Sequence, residues 1–175
     1  MEFEEKTLSG EYIYKGKVLN LKKDLVELPD KTTSYREIVE HGGGAAVLCV
    51  SDGKVLMVKQ FRYAYKEEII EIPAGKIDKG ETPEKAARRE LEEEAGIVAD
   101  EMTLISEIYP SPGYTNEKIY VYRAEGLKKG NPHTDKDEFL RAFWLPLKDA
   151  EKMCRNGEIK DSKTLIALSH LKDPK

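Results

Sequence analysis

An α+β fold is predicted for this 175-residue chain by three observations. Strand-like segments crowd the first 72 residues, as short apolar runs and period-2 alternations bounded by turn residues. A helix with clear start and stop signals follows near residue 83, and two more helical patterns close the chain. No repeat, low-complexity tract or long linker interrupts this order, and the length is comfortable for a single core.

Taken in order, Glu11–Tyr14, Val18–Leu28 and Ser34–Glu40 are rich in Tyr, Val, Leu and Ile and predict an N-terminal strand set, broken at Pro29-Asp30. Gly42-Gly43-Gly44 separates that set, residues 1–41, from a larger domain over 42–175. Ala45–Val50 and Lys54–Gln60 flank Ser51-Asp52-Gly53, a hairpin signal. Glu68–Ile72 is a further strand. Thr82 is a good N-cap, Pro83 suits the first helical position, where its missing N–H costs nothing, and Gly96 suits the position just past the end. Between them Glu, Lys, Ala, Arg and Leu favour a helix over 83–95. Met102–Tyr109, Lys118–Ala124 and Leu140–Leu145 are the remaining strands. Lys148–Arg155 and Ser162–Leu171 are the closing helices, the second capped by Asp161 with Leu165, Ile166, Leu168 and Leu171 inward.

Charged residues make up 35% and hydrophobic ones 39%, the balance of an ordinary soluble protein. A net charge of −4 offers no electrostatic footprint for nucleic acid. No apolar run approaches 18 residues and Met1–Lys6 is acidic, so no membrane span or signal peptide is expected and the cytoplasm is the predicted location. Cys49 and Cys154 are far apart and predicted to be unpaired, one a small buried hydrophobe and the other a helix residue.

The chemistry points to the helix over 83–95. At about 100° per residue, Glu90, Glu93 and Glu94 fall within one arc of about 100° together with Ala86, and Ala87, Leu91 and Ala95 form the adjoining apolar stripe. Arg88 faces outward between Glu84 and Glu92, within reach of both at i±4, and Arg89 sits at the edge of the arc. A charge run is usually a solvated face. Here, however, Glu90 and Glu94 repel at i,i+4 by about 0.2–0.5 kcal/mol, and the arc borders the buried stripe instead of opposing it. Like charges at the edge of a core need a counter-ion, and hard oxygen ligands suit Mg²⁺ or Mn²⁺. Zinc fits poorly, because His41, His133 and His170 are scattered.

The segment Gly75–Ile97 also resembles a known family. Gly75, five residues, Glu81, seven residues, Arg89-Glu90-Leu91, one residue, Glu93-Glu94, one residue and Gly96-Ile97 match every fixed position of the Nudix box. The resemblance implies an α/β/α sandwich around a mixed sheet, with an additional N-terminal antiparallel strand set. It further implies a hydrolase of nucleoside diphosphates linked to another moiety. It assigns the metal to Glu90 and Glu94, helped by Glu93 and the carbonyl of Ala74, and gives Arg89 the task of orienting a box glutamate. Gly75 permits a loop shape that a side chain would hinder.

The flanks narrow the substrate. Ser111-Pro112-Gly113 puts a proline 15 residues beyond Ile97, a spacing that resembles the ADP-ribose pyrophosphatase branch. Gln60-Phe61-Arg62-Tyr63, Glu71-Ile72-Pro73-Ala74-Gly75, Ser34-Tyr35-Arg36-Glu37 and Gly157-Glu158-Ile159-Lys160-Asp161 are similar to the same branch, so the likeness runs from about Gly16 onward. The implied reaction is hydrolysis of ADP-ribose to AMP and ribose 5-phosphate. Other nucleoside diphosphate sugars, dinucleoside polyphosphates (from Tyr114) and a non-catalytic ligand-binding module are the alternatives. Arg36 and Arg62 have the guanidinium forks that match diphosphate oxygens. Glu37, Pro112 and Gly113 join them as substrate-binding candidates. Glu71 is expected either to bond a nucleobase or ribose or to solvate a strand edge. In this branch the general base comes from a loop before the last strand. Glu138 is the choice in His133–Phe139, with Asp135 and Asp137 as alternatives; the other readings are a further metal ligand among the three or a solvated acidic loop. The branch also implies a homodimer formed through the N-terminal strands, with Tyr12, Tyr14 and Tyr35 as possible stacking residues or simple packing.

Overall fold

The computed structural model describes residues 2–133 and 139–171. The order is β1 (Lys6–Lys15), β2 (Leu19–Glu27), β3 (Thr33–His41), β4 (Gly44–Ser51), β5 (Lys54–Arg62), β6 (Glu67–Glu71), β7 (Ala74–Lys76), α1 (Pro83–Ala95), β8 (Ile97–Ile108), β9 (Ile119–Lys129), β10 (Leu140–Pro146), α2 (Leu147–Arg155) and α3 (Ser162–Ser169). They divide into two compact units, Met1–Gly43 with Tyr109–Lys118, and Gly44–Ile108 with Ile119–Lys175.

In the first unit β1, β2 and β3 form an antiparallel sheet in that order. The segment Tyr109–Lys118 groups with this sheet, because Val39 donates its N–H to Tyr114 O (2.7 Å) and accepts from Asn116 N (3.2 Å). Every residue of β1 is exposed, and Leu8, Tyr12, Ile13 and Tyr14 lie open along it.

The second unit is built on a mixed sheet ordered β10-β5-β4-β9-β8, with β6 beside β5 and β7 beside β4. β4 and β9 run parallel and the remaining pairs antiparallel. β4 shows why the unit is layered. Its apolar run GAAVLCV alternates between two cores: Ala45, Val47 and Cys49 pack with Ala86, Ala87 and Leu91 of α1, while Ala46 and Leu48 pack with Ala150 of α2 and Ala167 and Leu168 of α3. A strand covered on both faces reads as a continuous apolar run, as this one does. The result is the expected α/β/α sandwich.

Local signals located α1 well. Thr82 caps it, accepting from Lys85 N at 3.3 Å, and Gly96 ends it at φ 62°, where its N–H reaches Glu92 O. Long-range pairing changed other boundaries. β7 was not expected, since Ala-Gly-Lys carries no strand preference of its own; it forms because β4 supplies a ladder at Gly44–Ala46. β8 begins at Ile97, five residues ahead of the expected Met102, because Ile97–Glu101 pairs with the far end of β9. In α3 the inward positions are Lys163, Thr164, Ala167 and Leu168, whereas Leu165 is 36% exposed, which corrects its predicted inward placement. No helix among the described residues is long and apolar enough to cross a membrane.

Candidate active site

α1 lies with its apolar stripe on the sheet, which turns the neighbouring carboxylate arc toward the β7 side of the same unit. Glu90 and Glu94 are 6% and 4% exposed, far more buried than a solvated acidic face allows. Arg89 is the centre of this group. Its Nη1 donates to Glu90 Oε1 (2.7 Å) and Glu93 Oε2 (2.9 Å), and Nε and Nη2 form a fork on Glu81 at 3.1 and 3.0 Å. Nη2 also reaches Lys76 O at 2.9 Å, tying the helix to β7. The Arg89 hydrogen bond holds the Glu81 carboxyl below the usual carboxylate range, and the surrounding glutamates push the Arg89 guanidinium far upward. On the outer face Arg88 pairs with Glu84 (3.0 Å) but turns its other end to Ala99 O (2.8 Å).

The chain entering the box is pinned residue by residue. Ile72 donates its N–H to Thr164 Oγ1 (2.8 Å), Pro73 O accepts from Val47 N (2.8 Å), and Ala74 N–H donates to Glu94 Oε2 (2.9 Å). Gly75 follows, and the reason it must be glycine differs from the expected one. Its backbone needs no left-handed conformation. A Cβ there would lie 2.0 Å from Glu90 Oε1, so the missing side chain is what lets the Glu90 carboxylate rest on the backbone.

Arg62 on β5 lies opposite Glu67, and its side chain reaches along β6 to Glu71, which lies opposite Val58. Arg62 Nε and Nη2 donate to the two oxygens of Glu71 at 2.6 and 2.7 Å, a bidentate fork. Glu71 is 2% exposed and also accepts from Lys163 Nζ at 2.5 Å. Burial pushes its carboxyl up, but Arg62 and Lys163 outweigh burial and hold it below the usual range. Glu71 is therefore neither a solvated strand edge nor turned outward with open oxygens for a base or ribose. It is the buried partner of Arg62. Lys163 and the ion-pairing side of Asp161 were not anticipated; the only sequence signal was Asp161 as a helix cap, which it also is, accepting from Thr164 N at 3.0 Å.

Arg36, Glu37, Pro112 and Gly113 belong to the first unit. Arg36 donates Nε to Glu5 Oε2 at 2.8 Å, pairs with the other Glu5 oxygen through Nη2, and reaches Ser34 Oγ and Tyr35 O. Glu37 is exposed on β3, and Pro112 and Gly113 are exposed in the turn that Tyr114 N closes on Ser111 O at 3.3 Å. Asp135, Asp137 and Glu138 lie outside the described residues. The segment leading to them docks on the end of α1: Gly130 N bonds Gly96 O (2.8 Å), His133 N bonds Glu93 O (3.1 Å), and the His133 ring stands 3.7 Å from Glu93 Oε1.

Glu81, Glu90 and Glu93 gather on Arg89 with Glu94 one turn further along α1; Glu90 is buried against the bare backbone of Gly75 and Glu94 against the Ala74 N–H. Hard oxygen donors in negative excess fit a divalent cation such as Mg²⁺. Among the described residues no three acidic, His or Cys side chains converge as a metal site by themselves, since Arg89 draws Glu90 and Glu93 to itself.

A family model described as the NUDIX domain matches residues 40–167. An ADP-ribose pyrophosphatase of Bacillus subtilis (strain 168) is 47% identical over 171 residues, covering 96% of this chain and 92% of that protein. A methanol dehydrogenase activator of Bacillus methanolicus is 44% identical over 172 residues, covering 97% and 93%. A crystal structure of an ADP compounds hydrolase superposes with a TM-score of 0.85 at 19% identity, covering 97% of this chain and 92% of that one, which supports the fold. The family model and the relatives show that the chain belongs to the Nudix family, whose box it carries at Gly75–Ile97.

Proposed function

We propose that the protein is a divalent-metal-dependent ADP-ribose pyrophosphatase, in which water cleaves the diphosphate of ADP-ribose to give AMP and ribose 5-phosphate. The observation that carries this reading is the gathering of Glu81, Glu90 and Glu93 on Arg89 with Glu94 hooked to Ala74 N, a box whose acidic residues are all present and placed together. Glu90, Glu94, Glu93 and the Ala74 carbonyl would hold Mg²⁺, with Mn²⁺ as its substitute. A cation bound there lowers the pKa of attached water and offsets charge developing on the diphosphate.

The chain's own residues do the rest. Arg89 keeps the box carboxylates in register. Glu138 accepts the proton of the attacking water. Arg62 donates to a diphosphate oxygen through Nη1, which makes no hydrogen bond among the described residues. Arg36, Glu37, Pro112 and Gly113 bind the nucleotide sugar, Arg36 exchanging Glu5 for phosphate. Glu71 acts through Arg62. The open, tyrosine-bearing β1 supports a homodimer of the N-terminal strands, and the two unpaired cysteines suit the cytoplasm.

The test is product analysis with Mg²⁺ against ADP-ribose, a panel of nucleoside diphosphate sugars, diadenosine polyphosphates and CoA. ADP-ribose turned over fastest, yielding AMP and ribose 5-phosphate, is the expected result. Turnover no faster than the panel defeats the specificity, and no hydrolysis with either metal defeats the enzyme. Glu138→Gln should slow turnover by about 10²–10⁴-fold, the usual worth of a general base, with metal affinity kept. An equal loss from Asp137→Asn alone would move the base. The relative named as an activator motivates a second reading, in which the protein acts on another enzyme; an inert protein in the panel would favour it.

A further inference from the structure

α3 is remote in sequence from the box, yet its first turn is built into the strand that leads there. Lys163 is only 8% exposed, a burial lysines reach almost solely when paired. Its Nζ bridges Glu71 Oε2 at 2.5 Å and Asp161 Oδ1 at 2.9 Å. Thr164, fully buried, donates to Asp161 Oδ2 at 2.6 Å and accepts the Ile72 N–H at 2.8 Å. The four charges of Arg62, Glu71, Lys163 and Asp161 cancel in pairs, and every carboxylate oxygen in the set has a donor.

Consider what this does to Arg62. Glu71 occupies the Nε–Nη2 edge, and Asp161 adds attraction from further away. With Lys163 present, Glu71 shares its charge between two cations and Asp161 is neutralised locally. Arg62 thus keeps a fixed orientation without having its charge fully cancelled. Without Lys163, two carboxylates would face Arg62 alone, and the guanidinium would be drawn inward and left a poorer partner for a phosphoryl oxygen.

We propose that Lys163 is a positioning residue for the diphosphate reaction: it holds Glu71 against one edge of Arg62 and balances Asp161, so that Nη1 of Arg62 remains available to the substrate. The inference rests on the reading that Arg62 donates to the diphosphate. Thr164 supports the same geometry by fixing Ile72, two residues before Ala74.

A double-mutant cycle decides it. Michaelis parameters are measured with ADP-ribose at saturating Mg²⁺ for the wild type, Lys163→Met, Arg62→Ala and the double variant, with a melting curve for each. Lys163→Met should raise KM about tenfold with kcat changed less than about threefold, and should add less than about twofold in the Arg62→Ala background, as residues coupled in one network do. An equal loss in both backgrounds, or a fall in kcat at unchanged KM, would overturn the proposal and leave Lys163 a fold-supporting residue. If Lys163→Met does not fold, Glu71→Gln takes its place in the cycle, and independence from Arg62 again overturns it. Should the wild type prefer another nucleoside diphosphate compound, the cycle is run on that compound; Lys163 is judged there while the substrate name alone falls. A wild type that cleaves no diphosphate defeats both.

Discussion

Two arginines in this protein are clamped by glutamates, and they are balanced in opposite ways. Arg89 faces Glu81, Glu90 and Glu93, with Glu94 one turn further along the same helix, so negative charge is in excess. Arg62 sits in a group where Lys163 and Arg62 match Glu71 and Asp161 one for one. On the proposed reading the first cluster takes a cation, whereas in the second every carboxylate oxygen already has a donor within the group. Hydrogen-bond distances overlap, at 2.7–3.1 Å around Arg89 and 2.5–2.9 Å around Glu71 and Asp161, so charge balance is what distinguishes the two clusters.

Breaking the balanced cluster should cost the most stability. Glu71→Ala leaves Arg62 and the buried Lys163 without their shared carboxylate, and loss of one partner of a buried pair costs about 3 kcal/mol or more. A denaturant titration reads this directly, and a change below about 1 kcal/mol, the size of a surface pair, would mean the cluster is not holding the fold. Glu94→Gln should do the reverse. Gln keeps an oxygen that can accept the Ala74 N–H, so stability should change little, while activity falls at least about a hundredfold, beyond what loss of an outer partner of a metal ligand costs. Full activity in that variant would remove Glu94 from the metal set.

Gly75→Ala probes the contact that brings the two halves of the box together. The added methyl displaces the Glu90 carboxylate, so activity should fall by about tenfold, within the range for a disturbed ligand sphere, with little change in melting temperature. Unchanged metal dependence would show that Glu90 need not rest on that backbone.

The smallest effect is on acid stability. The folded-state carboxyls of Glu71 and Glu81 lie below the ordinary range, so near pH 4 the unfolded chain binds protons more readily than the folded one. Their contribution is present above the unfolded carboxylate pKa of about 4.3 and is lost as pH falls through the lower folded values. Glu71→Gln should therefore flatten the loss of stability as pH falls below the unfolded carboxylate pKa of about 4.3. An unchanged limb in Glu71→Gln would contradict the ionised, doubly paired carboxylate.

What the amino-acid sequence determined by itself was everything written in short-range signals. The limits of α1 follow from Thr82, Pro83 and Gly96, its carboxylate arc from helical spacing, and the two-faced burial of β4 from a run of seven small or apolar residues. The box and the family were legible for the same reason, since all their residues lie within one segment. Only the tertiary structure decided which carboxylates are spent on which cations. Glu5 meets Arg36 across 31 residues, and Lys163 and Thr164 meet Glu71 and Ile72 across 92. β7 exists only because β4 offers it a ladder. Pairings over such separations carry no periodicity, and for that reason Glu71 reads in the sequence as a substrate-binding or strand-edge glutamate and stands as a buried ion-pair centre in the fold.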